Sequence, residues 1–266
     1  MTVVQQATGA TEATGSIKSA ERVMDLLDLL SQHRDGLTFV AIRTALGLPK
    51  SSLHGLLRAM TDRGYLSLDP QARVYRVGIR VWESGHAFQF GHHLSRVALP
   101  HLAALRDEVD ETVQMAVLDG LENVYLAKQE SAQPLRLVSD VGRRLPAHST
   151  ALGKMLLAML PEEEFDRRLD GATLTRFTDQ TVADVPALRK EMAEVRLRGY
   201  AEDLGEYTAG LYCVAAAVFD ARGTAVAAIS CSVPVVRLTD GTKKQRQFLE
   251  PLQRTAAAIS RDLGAR

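Results

Sequence analysis

Two sets of side chains have the chemistry of binding sites, and the first lies in the last third of the chain. Ser230 and Ser232 alternate along one predicted strand, so both hydroxyls lie on the same face. Cys213 lies on the preceding predicted strand, where alanines at positions 215 and 217 leave room for a ligand. Asp203 is predicted in the loop before that strand. From the residues alone, the simpler interpretation is that Cys213 fills the core and the serines bond to backbone groups.

A helix predicted from Ser149 to Leu160 adds a possible anion site. Its first turn presents backbone N–H groups without intrahelical partners around Ala151 and Leu152. These groups, together with the positive end of the helix dipole, favour an anion. The pattern therefore predicts a small acidic ligand if this helix and the two strands meet.

An enzyme is the alternative from another class, because His148, Asp203 and Cys213 are the residue types of a thiol hydrolase. An apolar position in the middle of a strand raises the pKa of a thiol, and no local catalytic signature surrounds Cys213. We therefore expect no catalytic residue. We also expect no cofactor and no metal, because Cys213 and Cys231 are too few for a four-ligand zinc site.

The second set of side chains lies in residues 38–64. Apolar residues at positions 53, 56, 57 and 60 have helical spacing, and Gly47-Leu48-Pro49 forms a turn between this helix and the one before it. The opposite face carries hydroxyls, a histidine and a guanidinium, which are groups that read the major groove or hold phosphate. We predict DNA contacts from Lys50, Ser51, Ser52, His54, Arg58 and Arg73.

A short hairpin is predicted directly after these helices. Strand-like residues 65–68 and 73–77 flank the turn signal Asp69–Ala72. A helix-turn-helix followed by a hairpin is the winged-helix order, with Arg73 near the tip of the wing. Between residues 38 and 80, seven Lys or Arg residues stand against two Asp, in a chain of net charge zero. The basic excess lies where phosphates would be met.

The N-terminal region and the linker complete the first half. Residues 1–15 predict a disordered tail. A first helix with an apolar stripe from Val23 to Leu30 is expected to begin at an N-cap, Ser19. A linker helix is predicted at residues 79–93, whose aromatic residues fit packing on another subunit. Its three histidines (His86, His92 and His93) lack a carboxylate or cysteine at ligand spacing. Helix then continues to Val109 with a break near Pro100.

The second half mixes strands and helices. Strands are predicted at 112–118, 123–129, 135–138, 211–220 and 224–233, and helices at 149–160, 186–199 and 239–263. Helices with a mostly antiparallel sheet predict an α+β domain. At 266 residues the chain suits one or two domains. It has neither a secretory signal nor an apolar run near the roughly 18 to 20 residues of a membrane helix, so we expect a cytoplasmic protein without a membrane partner.

Three segments resemble the IclR family of bacterial transcription regulators. They are LPKSSLHGLL at 48–57, LPAHSTALGKMLLA at 145–158 and EDLGEYTAGLYCVAAAVFDARGTAVAAISCSVP at 202–234, and the resemblance covers the chain from Ser16 onward. One departure is Gly55, where the family commonly has Arg after the recognition-helix His. Glycine in a helix costs about 0.5–1 kcal/mol relative to alanine, and it removes a possible DNA contact.

The resemblance implies a winged helix-turn-helix at 16–78, a linker helix at 79–94 and a GAF-like domain at 95–266 for effector binding and oligomerisation. It implies effector contacts at Ala151, Leu152, Asp203, Cys213, Ser230 and Ser232. The implied function is a ligand-responsive regulator, for example a repressor, that binds double-stranded operator DNA and a small organic or aromatic acid. The resemblance also implies a homodimer or a dimer of dimers. A constitutive DNA-binding oligomer without an effector remains the alternative.

Overall fold

The structure, a computed structural model, describes residues 17–86, 89–134, 140–238 and 242–265. The chain divides into two compact units between Gln89 and Phe90, inside the predicted linker. The predicted tail at 1–15 and the predicted strand at 135–138 lie outside the described residues, as do the side chains of His86 and His92. None of the helices in the described ranges combines the length and apolarity needed to cross a bilayer.

The first unit is a winged helix-turn-helix, as the sequence predicts. Its elements are α1 (Lys18–Ser31), β1 (Leu37–Thr38), α2 (Phe39–Leu46), α3 (Lys50–Asp62), β2 (Leu66–Asp69), β3 (Val74–Val77) and α4 (Ile79–His86). The three strands form an antiparallel sheet in the order β1-β3-β2. The two-residue strand β1 was not predicted, because a pair of residues shows no alternation.

Local chemistry fixes the two helices of the reading motif. Thr38 caps α2 by accepting a hydrogen bond from the Ala41 amide at 3.3 Å. Gly47 ends α2 in the left-handed conformation with φ of 62°, and α3 begins directly after Pro49. The stripe predicted on α3 packs into the core of this unit, which comprises Leu26, Leu30, Ile42, Leu53, Leu57, Met60 and Leu66.

The predicted N-cap of α1 is wrong. Ser19 lies inside the helix, which begins at Lys18. The Ile17 carbonyl accepts the amides of Ala20 and Glu21, so the chain is already helical before Ser19. The N-cap residue, Ile17, has no side-chain capping bond.

The second unit is an α+β domain, which confirms the predicted class. Its elements are α5 (Gln89–Val109), β4 (Thr112–Asp119), β5 (Glu122–Gln129), β6 (Arg144–Pro146), α6 (Ala151–Ala158), α7 (Glu162–Leu169), α8 (Val185–Arg198), β7 (Ala201–Leu204), β8 (Leu211–Phe219), β9 (Ala225–Pro234) and α9 (Thr242–Asp262). The six strands form an antiparallel sheet in the order β6-β5-β4-β9-β8-β7.

Helices cover both faces of this sheet. One face packs against α5 and α9 through residues such as Leu102, Ile229 and Leu252. The other packs against α6, α7 and α8 through residues such as Leu157 and Leu188. Because side chains alternate along a strand, Cys231 belongs to the first core and Cys213 to the second. The sheet therefore supplies one face to the structural core and the other to a possible ligand.

Three further predictions about this unit were wrong or incomplete. Pro100 does not break α5 but lies inside it, because a buried stripe of Leu94, Ala98 and Leu102 holds the helix on the sheet despite one lost hydrogen bond. Asp203 lies in the edge strand β7 opposite Cys213 and not in a loop. Helix α7 and the short strand β6 were missed.

Candidate functional site

A cavity of about 240 Å³ lies between the sheet and the start of α6. The six residues predicted to contact an effector all line it, namely Ala151, Leu152, Asp203, Cys213, Ser230 and Ser232. Asp203 lies on strand β7, Cys213 lies on β8, and both serines lie on β9. Helix α6 contributes Ala151 and Leu152 from its first turn. The structure thus brings the predicted residues together, and their contacts with a ligand stay a prediction.

The sheet side of the cavity is polar. Cys213 lies opposite Ser232 in the register of β8 and β9, and its Sγ donates to the Ser232 Oγ at 3.3 Å. The Ser232 hydroxyl in turn donates to Gln114 Oε1 at 3.1 Å. Ser230 differs, because its Oγ is buried without a hydrogen-bond partner in the described part of the chain. A buried unpaired hydroxyl is costly, so Ser230 is ready to bond to a ligand.

The start of α6 is held in place and left open at the same time. The Thr150 hydroxyl accepts the Gly153 amide at 3.2 Å and donates to Asn123 Oδ1 at 2.8 Å. A Cβ on Gly153 would lie 2.2 Å from the Ala147 Cα, so only glycine allows this packing. The amides of Ala151 and Leu152, in the first turn, have no intrahelical acceptor. Both residues line the cavity, where these donors can meet an anion.

Asp203 has an unusual environment for a carboxylate. It is buried in the strand, and burial raises the pKa of its carboxyl group to about 6. The Glu206 amide, which donates to Asp203 Oδ1 at 2.6 Å, and the nearby Lys154 lower that pKa and limit the rise. Asp203 can therefore be an acid or a carboxylate near neutral pH, and can donate to or accept from a ligand.

Sequence reasoning missed about half of the lining. The additional residues are Gln114, Tyr125, Arg143, Leu145, Thr150, Tyr207, Thr208 and Leu211. Gln114 gave a usable signal, since a glutamine inside the apolar run of β4 needs a polar partner. Tyr207 and Thr208 follow β7 in a segment without periodicity, so no pattern could assign them. Arg143 is exposed and places a guanidinium at the cavity.

The geometry does not support thiol chemistry. Burial raises the pKa of the Cys213 thiol far above neutrality. The His148 ring Nε2 is hydrogen-bonded to the Thr175 carbonyl at 2.9 Å. The described residues include no cluster of three His, Cys, Asp or Glu side chains that could hold a metal.

The predicted DNA-contacting residues lie on the surface of the first unit. Lys50, Ser51 and His54 are exposed along α3, while Ser52 is half-buried. Arg58 is 78% exposed and forms a 3.7 Å surface ion pair with Asp62, which contributes little to stability. The remaining one, Arg73, is exposed at the hairpin turn before β3, with φ of 53°. The arrangement leaves these side chains free to reach a phosphate or a base edge.

Comparison with known proteins identifies both units. Residues 19–70 match the IclR helix-turn-helix domain, and residues 87–261 match the bacterial transcriptional regulator IclR C-terminal domain. The chain belongs to the IclR family. IclR-family proteins are transcription regulators that bind DNA through the helix-turn-helix domain, so the thiol hydrolase is not favoured and the resemblance seen in the sequence is confirmed.

Individual IclR-family relatives match over nearly the whole chain. The transcriptional regulator XynR of Escherichia coli K12 is 36% identical over 93% of this chain and 98% of its own. The transcriptional repressor IclR of the same organism is 31% identical over 86% of this chain and 84% of its own. An IclR homolog from Microbacterium hydrocarbonoxydans, solved in complex with 4-hydroxybenzoate, superposes with a TM-score of 0.81 at 28% identity over 92% of this chain and 98% of its own.

Proposed function

We propose that this IclR-family regulator senses a small carboxylic acid in the cavity of its second domain and changes its operator affinity in response. The observation that carries the proposal is the cavity itself. It joins the open amides of α6 to a buried Ser230 hydroxyl that has no partner in the described structure. Buried polar groups are normally satisfied, and a ligand with matching polar atoms would satisfy these.

The two ends of the cavity differ in charge preference. The carboxylate of the acid would bind the amides of Ala151 and Leu152 at the positive end of α6. The exposed guanidinium of Arg143 would attract the anion to this cavity. A hydroxyl at the far end of the ligand would bond to Asp203, with Ser230 and Ser232 between. A hydroxy acid or a hydroxylated aromatic acid has this pattern, and 4-hydroxybenzoate, bound by the Microbacterium relative, is one example.

The first domain would contact operator DNA through α3 and the wing. Exposed Arg58 and Arg73 would meet phosphates or guanine, and Ser51 and His54 would face the major groove. Lys50 and Ser52 at the start of α3 would add contacts to the phosphates of the DNA backbone. A single winged helix reads too few base pairs for genomic specificity, so we expect a dimer on a pseudo-palindromic site.

Two apolar side chains of α4 support a homodimer. Ile79 is 66% exposed and Trp82 is 60% exposed, so the two place apolar surface on one helix. A second copy packed along the linker helix would bury them. Pairs of dimers would give a tetramer. A DNA-binding regulator of a bacterial family meets its operator in the cytoplasm, and we therefore propose this location.

A thermal-shift screen of carboxylic acids that includes 4-hydroxybenzoate tests the sensor. A ligand at a hundred times its Kd should stabilise the domain by about 2.7 kcal/mol. Replacing Ser230→Ala and Ser232→Ala together should weaken the acid about tenfold or more, since each lost hydrogen bond costs about 0.5–1.5 kcal/mol. Operator affinity without ligand should be unchanged.

Cys231→Ala is the matched control, because Cys231 lies between the two serines and packs on the other face of the sheet. It should bind the acid as the wild type does. Coupling is reciprocal, so operator DNA must change the affinity for the acid by the same factor that the acid changes the affinity for DNA. If the acid binds the double serine variant with wild-type affinity, its binding site is not this cavity. An acid affinity that DNA leaves unchanged would contradict the sensor.

A further inference from the structure

A lysine lies in the interior of the second domain beside the cavity. Lys154 is only 1% exposed in α6, a helix whose eight residues are all buried. Lysine is almost never fully buried unless it is paired. Its Nζ forms an ion pair with Glu191 Oε1 of α8 at 2.6 Å and a second, short pair with Glu206 Oε1. The run ALGKMLLA around it is otherwise without charge, so this residue has a specific task.

The second pair connects α6 to the segment that lines the cavity. Glu206 follows β7, and its amide donates to the Asp203 carboxylate at 2.6 Å. Its carbonyl accepts the hydroxyl of Thr181 at 2.6 Å and that of Thr178 at 3.2 Å. The next two residues, Tyr207 and Thr208, line the cavity. Lys154 therefore ties the helix that would receive the ligand carboxylate to the segment that would cover the ligand.

Charge balance gives Lys154 a second task. One ammonium group faces three carboxyl groups, those of Asp203, Glu191 and Glu206. Cys213, Tyr125 and His148 add no charge at neutral pH, because burial raises the pKa of the thiol and the phenol and lowers that of the imidazole. The charged guanidinium of Arg143 also lies at the cavity, but it is exposed to solvent. Burial also raises the pKa of Glu206, to about 7. The Lys154 ammonium is thus the counter-ion of three neighbouring carboxyl groups, and it lies next to the cavity where the acid would bind.

We propose that Lys154 is a positioning residue of the effector cavity, whose charge holds the segment 203–208 against α6. This inference rests on the proposed sensor function, since it assigns that segment to the effector site. Without the ammonium, ionised Glu206 and Asp203 would repel each other and Glu191 in a buried place. The segment would then move its carboxylates toward water and open the cavity wall.

Amide hydrogen exchange of the full-length protein, without any ligand, tests this role. In Lys154→Met, which keeps the length of the side chain, exchange at pH 8 should rise at least about tenfold across residues 203–208. Strand β9 should keep its protection. At pH 5 the difference from wild type should largely vanish, because protonated carboxyl groups need no counter-ion. A lysine that acted only through packing would give the same increase at both pH values.

Two further variants sharpen the result. The double variant Lys154→Met with Glu206→Gln removes both charges and should recover most of the protection at pH 8. Arg168→Met is the control, since it breaks a 2.6 Å pair with Glu164 within α7 and should leave residues 203–208 unchanged. Should Lys154→Met not fold at pH 8, the double variant must fold there if charge is the cause, and its failure to fold overturns the proposal.

Unchanged exchange at residues 203–208 in Lys154→Met, or an equal rise at both pH values, also overturns it. Neither outcome depends on an effector. Failure of the proposed function is a separate observation, namely that no carboxylic acid stabilises the wild-type protein.

Discussion

Asp203 offers a direct test of the electrostatics of the cavity. Its carboxyl group has an ordinary pKa of 3.8, which burial raises to about 6 in the folded domain. An acid whose pKa is raised by folding contributes stability that is fully present below the unfolded pKa. That contribution is lost as the pH rises through the folded pKa. We therefore expect Asp203 to make the second domain less stable between pH 4 and pH 7, and Asp203→Asn to remove this loss.

The magnitude follows from the two pKa values. At about 1.36 kcal/mol for each unit of pKa, the full loss is about 3 kcal/mol. The same linkage equation gives a loss of about 1.4 kcal/mol between pH 5.0 and pH 7.5, a range in which many proteins stay folded. An asparagine oxygen can still accept the Glu206 amide, so the fold of the segment should be kept. The free energy of unfolding of Asp203→Asn minus that of wild type should thus be larger at pH 7.5 by about 1.4 kcal/mol.

Urea denaturation followed by circular dichroism at the two pH values measures this difference. Asp179→Asn is the control, because Asp179 is an exposed aspartate away from the cavity lining. The change in its difference from wild type between the two pH values is the reference with which the change for Asp203→Asn is compared. A difference for Asp203→Asn that does not change with pH, or that is larger at pH 5.0, would refute the assignment of a raised pKa to this group.

Three further predictions concern the first domain and the assembly. Arg58→Ala should weaken operator binding strongly, and Arg73→Ala should weaken it and also lower its salt dependence. Fluorescence anisotropy at several salt concentrations measures both effects. Unchanged operator affinity in the double variant would show that α3 and the wing do not contact DNA. Gly55→Ala should raise the free energy of unfolding of the first domain by about 0.5–1 kcal/mol, because a Cβ there meets no heavy atom within 4 Å. Gly55→Arg should steepen the salt dependence of operator binding by the equivalent of about one phosphate contact. A less stable alanine variant would contradict the open surface at Gly55. Analytical ultracentrifugation at micromolar concentration should show at least a dimer, and Trp82→Ala should weaken it; a monomer with and without operator DNA would exclude the α4 interface.

The elements that could be predicted are those with long, regular patterns. The strands β4, β5, β8 and β9 each contain eight to ten residues and were predicted to within two residues at either end. Strand β7 has only four residues, and β6 three, which is too short for alternation to be visible. The break predicted at Pro100 was wrong because the lost helical hydrogen bond costs less free energy than the packing of α5 on the sheet contributes. Short edge strands and prolines in well-packed helices depend on tertiary contacts that a sequence pattern does not contain.

The cavity divides along the same line. Alternation put Ser230 and Ser232 on one strand face, and the family resemblance joined them to Asp203, Cys213 and the start of α6. The resemblance did not give the pairing of Ser232 with Gln114, which is 118 residues distant in sequence. It also did not give the difference between the two serines, one bonded within the protein and the other without a partner in the described residues. That difference predicts that Ser230 bonds to the ligand directly.

Buried charge is the property that a sequence conveys least well, and Lys154 is the example in this chain. A lysine in an apolar helix signals burial and pairing, but it does not name its partners, which lie 37 and 52 residues further along the chain. Those partners decide whether the site above them accepts an anion. The Lys154 ammonium close to Asp203 limits the rise of the Asp203 pKa, whereas the neighbouring carboxylate of Glu191 raises this pKa further. An acid entering this cavity therefore binds to amides and hydroxyls that carry no net charge, above a counter-ion that is already occupied. For this reason we expect affinity for the acid to fall as pH rises and the carboxyl groups ionise.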